Sequence, residues 1–301
     1  MTPLNRALQV SLLVCLAACV DPQIPPLISL DAPTHMTLAR TCVQTDQVRS
    51  HITNCLDDDG SVDPDKGRVE EYAFVTNRLG NSVGVISFQS RIPEVVDTAP
   101  SVPGQTHIPV GRGPTWIVSS SDGNFLFVFN ELDGDISVVT TEDWRENSRI
   151  SLSGHEQAQG TQSEEFVSGL FLVEDRQDET RQALWAIQPG RSSISEIRWQ
   201  FSCNGQIGVY TQGCAPEIVE VEHSTLYQFP SLAQPRYAAL GIDGDLWITY
   251  ADQAVAAHLV TRGDAVCIDG NQAPPCIVEE VGLTYGCSDG IDNDGDGLID
   301  Q

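Results

Sequence analysis

Glu71-Tyr-Ala-Phe-Val-Thr-Asn77, followed by Gly80-Asn81-Ser82 and then Val83-Gly-Val-Ile-Ser87, is the stretch on which the fold turns. It returns as Asn124-Phe-Leu-Phe-Val-Phe-Asn130, Asp133-Gly134-Asp135 and Ile136-Ser-Val-Val-Thr140, aligned without a gap at an offset of 53 residues. In both copies an apolar run of strand length ends in an asparagine, a turn signal follows, and a second apolar run comes back. A weaker third copy runs Leu184-Trp-Ala-Ile-Gln188, Arg191-Ser192-Ser193, Ile194-Ser-Glu-Ile197. A fourth shows through another part of the unit: Gly113-Pro114-Thr-Trp116 to Asp122-Gly123 matches Gln234-Pro235-Arg-Tyr237 to Asp243-Gly244 at an offset of 121. Units of roughly 50 to 60 residues that each hold several short strands are the mark of propeller blades with loop insertions. The expected fold is therefore all-β, a β-propeller of four-stranded blades spanning 71–286, incomplete at about four visible blades, with a short acidic tail at 287–301.

The chain has 301 residues, 41% of them hydrophobic, which is enough for a core. Its 42 Asp and Glu against 16 Lys and Arg give a formal net charge of -26. Such a balance repels phosphate backbones and anionic lipid headgroups, so nucleic-acid binding and electrostatic adsorption to membranes are excluded, and divalent cations are the favoured ions.

Residues 1–18 read as a signal peptide: Arg6, an apolar run from Ala7 to Leu16, then Ala17-Ala18 before Cys19. That run is too short to span a bilayer, which takes about 20 residues. The ending Leu16-Ala17-Ala18-Cys19 resembles the lipobox of bacterial lipoproteins. The resemblance implies that Cys19 becomes the first residue of the mature chain and the point of lipid attachment. With Val20 rather than Asp next to the cysteine, it implies an exported protein anchored in the bacterial outer membrane or at the cell surface. Residues 19–40, with Pro22, Pro25, Pro26 and Pro33, read as a tether.

Seven further cysteines remain beyond Cys15 and Cys19, and none forms a C-x-x-C. Neighbour pairing would join Cys42 with Cys55 in a disulfide-closed acidic segment at 41–70, Cys203 with Cys214, and Cys267 with Cys276; other connectivities are open. Cys287 is then unpaired, which suggests a partner in sequence beyond this chain.

Phe74-Val75-Thr76-Asn77 with Gly80-Asn81-Ser82-Val83-Gly84, then Pro109-Val-Gly-Arg-Gly113-Pro114 and Asp122-Gly123, resembles the YVTN-type β-propeller repeat of bacterial surface-layer and periplasmic proteins. That repeat is similar to the lactonase-like seven-bladed propellers. The likeness covers 71–140 well and 165–260 loosely. Four visible units leave such a ring open, with an apolar blade face exposed; the chain is therefore expected to be the N-terminal part of a longer protein, the alternative being degenerate blades in 36–70 and 261–286.

Near the end, Asp292, Asp294 and Asp296 alternate, Gly297 follows, and Asp300 comes at the ninth place. Alternate carboxylates in a tight loop, with the Leu298 carbonyl and Asp300, supply the oxygens that calcium requires. With the leading Cys287-Ser-Asp-Gly, the segment resembles thrombospondin type 3 repeats and the Cys-x-Asp-Gly-x-Asp-Asn-Asp motif of myxobacterial surface proteins. The acidic run from Asp57 to Asp65 is too irregular for the same reading and is expected to be a solvated turn.

Catalytic signatures are sparse. Gly80-Asn81-Ser82-Val83-Gly84 matches a nucleophile elbow, but that motif requires a helix after the turn and here a strand follows, so Ser82 is not expected to be catalytic. The six histidines, at 35, 51, 107, 155, 223 and 258, show no ligand spacing. Trp116, Trp185 and Trp247 are expected to pack between blades. The favoured function is a lipid-anchored envelope module that binds an unknown protein or glycan without catalysis. The alternative is a metal-dependent hydrolase of the lactonase or gluconolactonase type, which requires carboxylates and histidines converging on the axis.

Overall fold

The computed structural model describes residues 30–44, 49–50, 52–57, 59–89, 92–99, 101–102, 106–120, 122–152, 167–174, 182–208, 217–230, 234–241, 245–250, 255–261, 266–268 and 273–282. Within them the apolar runs form four antiparallel sheets in succession. The first holds β1 (Pro33–Gln44), β2 (Arg49–Ser50), β3 (Gly67–Asn77), β4 (Ser82–Ser87), β5 (Glu94–Val96) and β6 (Ile108–Pro109), in the order β2-β1-β3-β4-β5 with β6 also on β4. The second is a plain meander of β7 (Pro114–Ser119), β8 (Phe125–Asn130), β9 (Asp135–Thr140) and β10 (Arg145–Ser151). The third holds β11 (Gly169–Glu174), β12 (Gln182–Gln188), β13 (Ser193–Cys203), β14 (Gln206–Ile207) and β15 (Glu217–Gln228). The fourth is β16 (Pro235–Leu240), β17 (Leu246–Tyr250), β18 (Val255–Val260) and β19 (Cys276–Gly282). Strands β1, β7, β11 and β16 lie side by side in that order, the arrangement of inner strands in a β-propeller.

The repeat seen in the sequence is a repeat of register. Asn77 pairs with Ser82, Asn130 with Asp135 and Gln188 with Ser193, each across a turn of equal length. The residue before the returning strand has positive φ in all three: Asn81 at 49°, Gly134 at 68° and Ser192 at 49°. Glycine and asparagine adopt that conformation most readily, which is why the first two copies read as turns and the third was weak. The amide ending the outgoing strand then closes its hairpin. Asn77 Nδ2 donates to Ser82 Oγ at 3.1 Å, Asn130 Nδ2 to Ser137 Oγ at 2.7 Å, and Gln188 Oε1 accepts from Ser195 Oγ at 2.5 Å. Ser82 is thus a buried hairpin residue with β4 after it, as its sequence context required.

Successive side chains of a strand point to opposite faces, so a strand covered on both sides must be apolar throughout. The Phe125–Asn130 strand shows this. Phe125, Phe127 and Phe129 pack against Leu184, Ala186 and Trp199 of the third sheet, whereas Leu126 and Val128 pack against Tyr72, Phe74 and Val85 of the first. A further core joins Trp185, Ile187 and Ile194 of the third sheet to Leu246, Ile248 and Leu259 of the fourth. Three cores bind four sheets, and among the described residues no core joins the first sheet to the fourth.

Two boundaries differ from the sequence reading. β1 falls across the tether boundary expected at residue 40, and the described residues of 36–70 and 261–286 form no extra blade but complete the first and fourth sheets, β1 as an inner strand and β19 as an outer one. Cys42–Cys55 and Cys267–Cys276 are disulfides, each pinning the detour that hid the strand from the repeat. Cys203 is also disulfide-bonded, while Cys214 lies outside the described residues. In the acidic turn, Lys66 Nζ bonds Asp57 Oδ1 at 3.0 Å and lies 3.5 Å from Asp63 Oδ2, so this run is a turn tied by its own lysine.

Candidate binding site at the mouth of the inner strands

Each of three inner strands begins with the same irregularity. Pro33 pairs with Asn77 but Met36 with Val75; Pro114 pairs with Asn130 but Trp116 with Phe129; Pro235 pairs with Tyr250 but Tyr237 with Thr249. One extra residue sits in the inner strand each time, a bulge that re-aims the neighbouring side chains. Proline suits this place because the first residue of a strand has no ladder donor to lose. By register, His35, Trp116 and Tyr237 then occupy one equivalent position in the first, second and fourth sheets. In the third sheet the position is Gly169, paired with Ile187, where a Cβ would come within 2.9 Å of the Phe171 ring.

His35, Trp116 and Tyr237 open on a cavity of about 480 Å³, to which the third sheet contributes only the flanking residues Ser168 and Pro189. Its walls include Thr34, His35, Thr115, Trp116, Ser168, Arg236 and Tyr237 from the starts of the inner strands, and Arg78, Glu131 and Pro189 from the residues just after β3, β8 and β12. The His35 ring stacks on Trp116 with centroids 3.6 Å apart and planes at 27°. Its Nδ1 bonds the Thr115 carbonyl, which can only accept, so Nδ1 carries a proton and Nε2 is the ring's acceptor. Burial lowers the His35 pKa from its ordinary value, against the pull of that carbonyl, and keeps the ring neutral at pH 7. Thr34 Oγ1 donates to the Thr115 carbonyl at 2.8 Å, locking the first inner strand to the second. Arg78 and Glu131, equivalent residues of two repeats, pair across the same seam at 2.7 Å.

The site is thus a polar rim around aromatic faces, with Arg236 adding a cation 5.6 Å from the Tyr237 ring centroid. Such faces accept sugar rings and aromatic groups by stacking, and the rim supplies hydrogen bonds that orient them. Among the described residues no group of three or more His, Cys, Asp or Glu is placed to hold a metal ion.

Of the tryptophans expected between blades, Trp116 packs across a seam and also lines the cavity, and Trp185 is buried with its Nε1 donating to Glu196 at 3.1 Å. Trp247 differs: it is 37% exposed, belongs to none of the three cores and stacks on His258 of its own sheet. Asn77 and Asn130 clamp hairpins and do not line the cavity. Cys19, expected to carry the lipid, the metal candidates Asp292, Asp294, Asp296, Leu298 and Asp300, and Cys287, expected to be unpaired, lie outside the described residues. Sequence reading missed Thr34, His35, Arg78, Glu131 and Arg236. A signal for the first two existed: Pro33-Thr34-His35 repeats the spacing of Pro114-Thr115-Trp116 and Pro235-Arg236-Tyr237.

No family model and no curated protein matches this chain. Among solved structures it is similar to Kuenenia stuttgartiensis hydrazine synthase (18% identity, TM-score 0.42, covering 84% of this chain and 49% of that one). It is also similar to the Pseudomonas aeruginosa periplasmic gluconolactonase PpgL (14%, 0.41, 76% and 53%) and to virginiamycin B lyase from Staphylococcus aureus (15%, 0.39, 83% and 90%). The chain spans about half the length of the first two. At these identities and scores the likenesses carry no argument about what it does, and the propeller architecture rests on the sheets themselves.

Proposed function

We propose that this protein is a lipid-anchored β-propeller of the cell envelope that binds a ligand without catalysis, holding it at the mouth of the inner strands. The observation that supports this reading is the cavity itself: side chains from three sheets and from residues flanking the strands of the third converge there, and its aromatic faces come from a bulge repeated in the first, second and fourth. In this reading Cys19 carries the lipid and the loop of Asp292, Asp294, Asp296, Leu298 and Asp300 takes up calcium as a local stabiliser of the C-terminal segment.

The test is retention on an array of envelope glycans and peptides. The protein should retain ligands that Trp116→Ala loses by tenfold or more, since stacking contributes about 1.4 kcal/mol or more at such a site. Retention unaffected by Trp116→Ala overturns the cavity as the site, and hydrolysis of δ-gluconolactone lost in His35→Ala would establish a lactone hydrolase instead. Anchor and ion are tested separately. Cys19→Ala should move the protein from the membrane to the soluble fraction, and chelating calcium should increase hydrogen exchange in 287–301 while leaving 71–140 unchanged.

A further inference from the structure

The two faces that no core covers among the described residues are the two halves of one kind of interface. On the first sheet the open face carries Met36 and Leu38, 60% and 49% exposed, beside Ile86. By register these stand where the second sheet has Ile117, Ser119 and Val139, the face with which it packs on the first. On the fourth sheet the open face carries Tyr237, Ala239 and Trp247, with Tyr237 60% exposed. These stand where the second sheet has Trp116, Val118 and Phe127, the face with which it receives the third. Among the described residues the same pairing of faces is used three times, and one half of each kind is left unfilled.

We propose that two copies of this chain close one ring, the first sheet of each copy packing on the fourth sheet of the other. A foreign partner would need to match only one face, whereas a second copy fills both with contacts the repeat already contains. Two identical contacts related by a twofold axis along the inner strands give a closed assembly. The established seam predicts the register. Thr37 Oγ1 lies 3.2 Å from Ser119 Oγ between the first and second sheets, and the equivalents are Ala239 on the fourth sheet and Leu38 on the first. Tyr237 of one copy then meets His35 of the second as His35 meets Trp116, so the aromatic lining of the cavity runs on from one copy to the next.

Sedimentation of the full chain at micromolar concentration should give twice the chain mass, and Met36→Asp or Trp247→Asp should return it to the monomer. Because a charged substitution can also unfold the chain, the deciding variant joins Leu38→Cys with Ala239→Cys. Under oxidation it should run as a covalent dimer on a non-reducing gel, while each single variant should not. A monomeric parent, an open-ended ladder of larger species, a dimer that survives both aspartate variants in folded form, or a double-cysteine chain that fails to cross-link overturns the proposal.

Discussion

The second and fourth sheets have the same meander, the same bulge after a proline and the same hairpin pairing, yet their side chains differ where their surroundings differ. Phe127 and Val138 of the second sheet are fully buried against the third. The residues at those places in the fourth are Trp247 and His258, stacked at 4.5 Å and nearly parallel, with Trp247 37% exposed. Backbone register follows from turn chemistry and proline placement, which the repeat preserves. The face of each strand follows what covers it, and that changes along the arc.

The largest expected effect breaks this comparison directly. Phe127→Ala removes a ring enclosed between two sheets and should lower stability by about 3–5 kcal/mol, read as a lower denaturant midpoint. Trp247→Ala removes a larger ring with far less burial and should cost under about half as much in dilute solution. Raising the protein concentration sharpens the contrast. If a second copy covers Trp247, its loss grows with concentration while that of Phe127 stays constant. Equal losses at every concentration would show that the fourth sheet is enclosed like the second.

The next effect concerns the hairpins. Asn130 is fully buried and its Nδ2 donates to Asp135 Oδ1 and Ser137 Oγ, both at 2.7 Å. Asn130→Ala removes both bonds, leaving Asp135 Oδ1 without its amide donor and Ser137 Oγ with the Gly111 N–H alone, and should cost about 1–3 kcal/mol. In the fourth sheet the corresponding place holds Tyr250, a ring rather than an amide, which packs in the core with Phe229 at 5.9 Å. Native-state hydrogen exchange should therefore speed up around the Asn130 to Asp135 turn in the variant and leave the fourth sheet unchanged. Faster exchange across both sheets would mean that the clamp supports the whole arc.

These differences decide what could be read from the sequence. The hairpins at 71–87 and 124–140 were legible because turn, strand length and closing asparagine all recur at one spacing. The Pro114 and Trp116 pattern was legible in Pro235 and Tyr237 for the same reason. Pro33-Thr34-His35 was not, since the disulfide-closed excursion between β1 and β3 destroys the constant offset. β19 was hidden likewise behind the Cys267–Cys276 loop. Arg78 and Glu131 lie at the same offset as the strands before them, but nothing local marks them as facing residues. Their pairing comes from the angle between sheets, and single-strand patterns do not encode that angle.

The smallest effect separates His35 from its equivalent Trp116, which does not titrate. Burial lowers the folded-state pKa of His35, while an unfolded histidine takes up its proton near pH 6.5. Below about that pH the unfolded chain binds more protons than the folded one, so stability falls as pH drops from about 7 toward 5 and is flat above. His107, also lowered chiefly by burial, acts in the same direction, so His35 accounts for part of the slope and not all of it. His35→Gln keeps polar side-chain atoms near the Thr115 carbonyl and removes the titration. Its denaturation midpoint should depend less steeply on pH between about 7 and 5 than the parent's, and coincide in slope with it above pH 7. A variant as steep as the parent in the acid range would place the titration elsewhere, and would mean that the neutral ring at the mouth of the cavity is not what separates the first inner strand from the second.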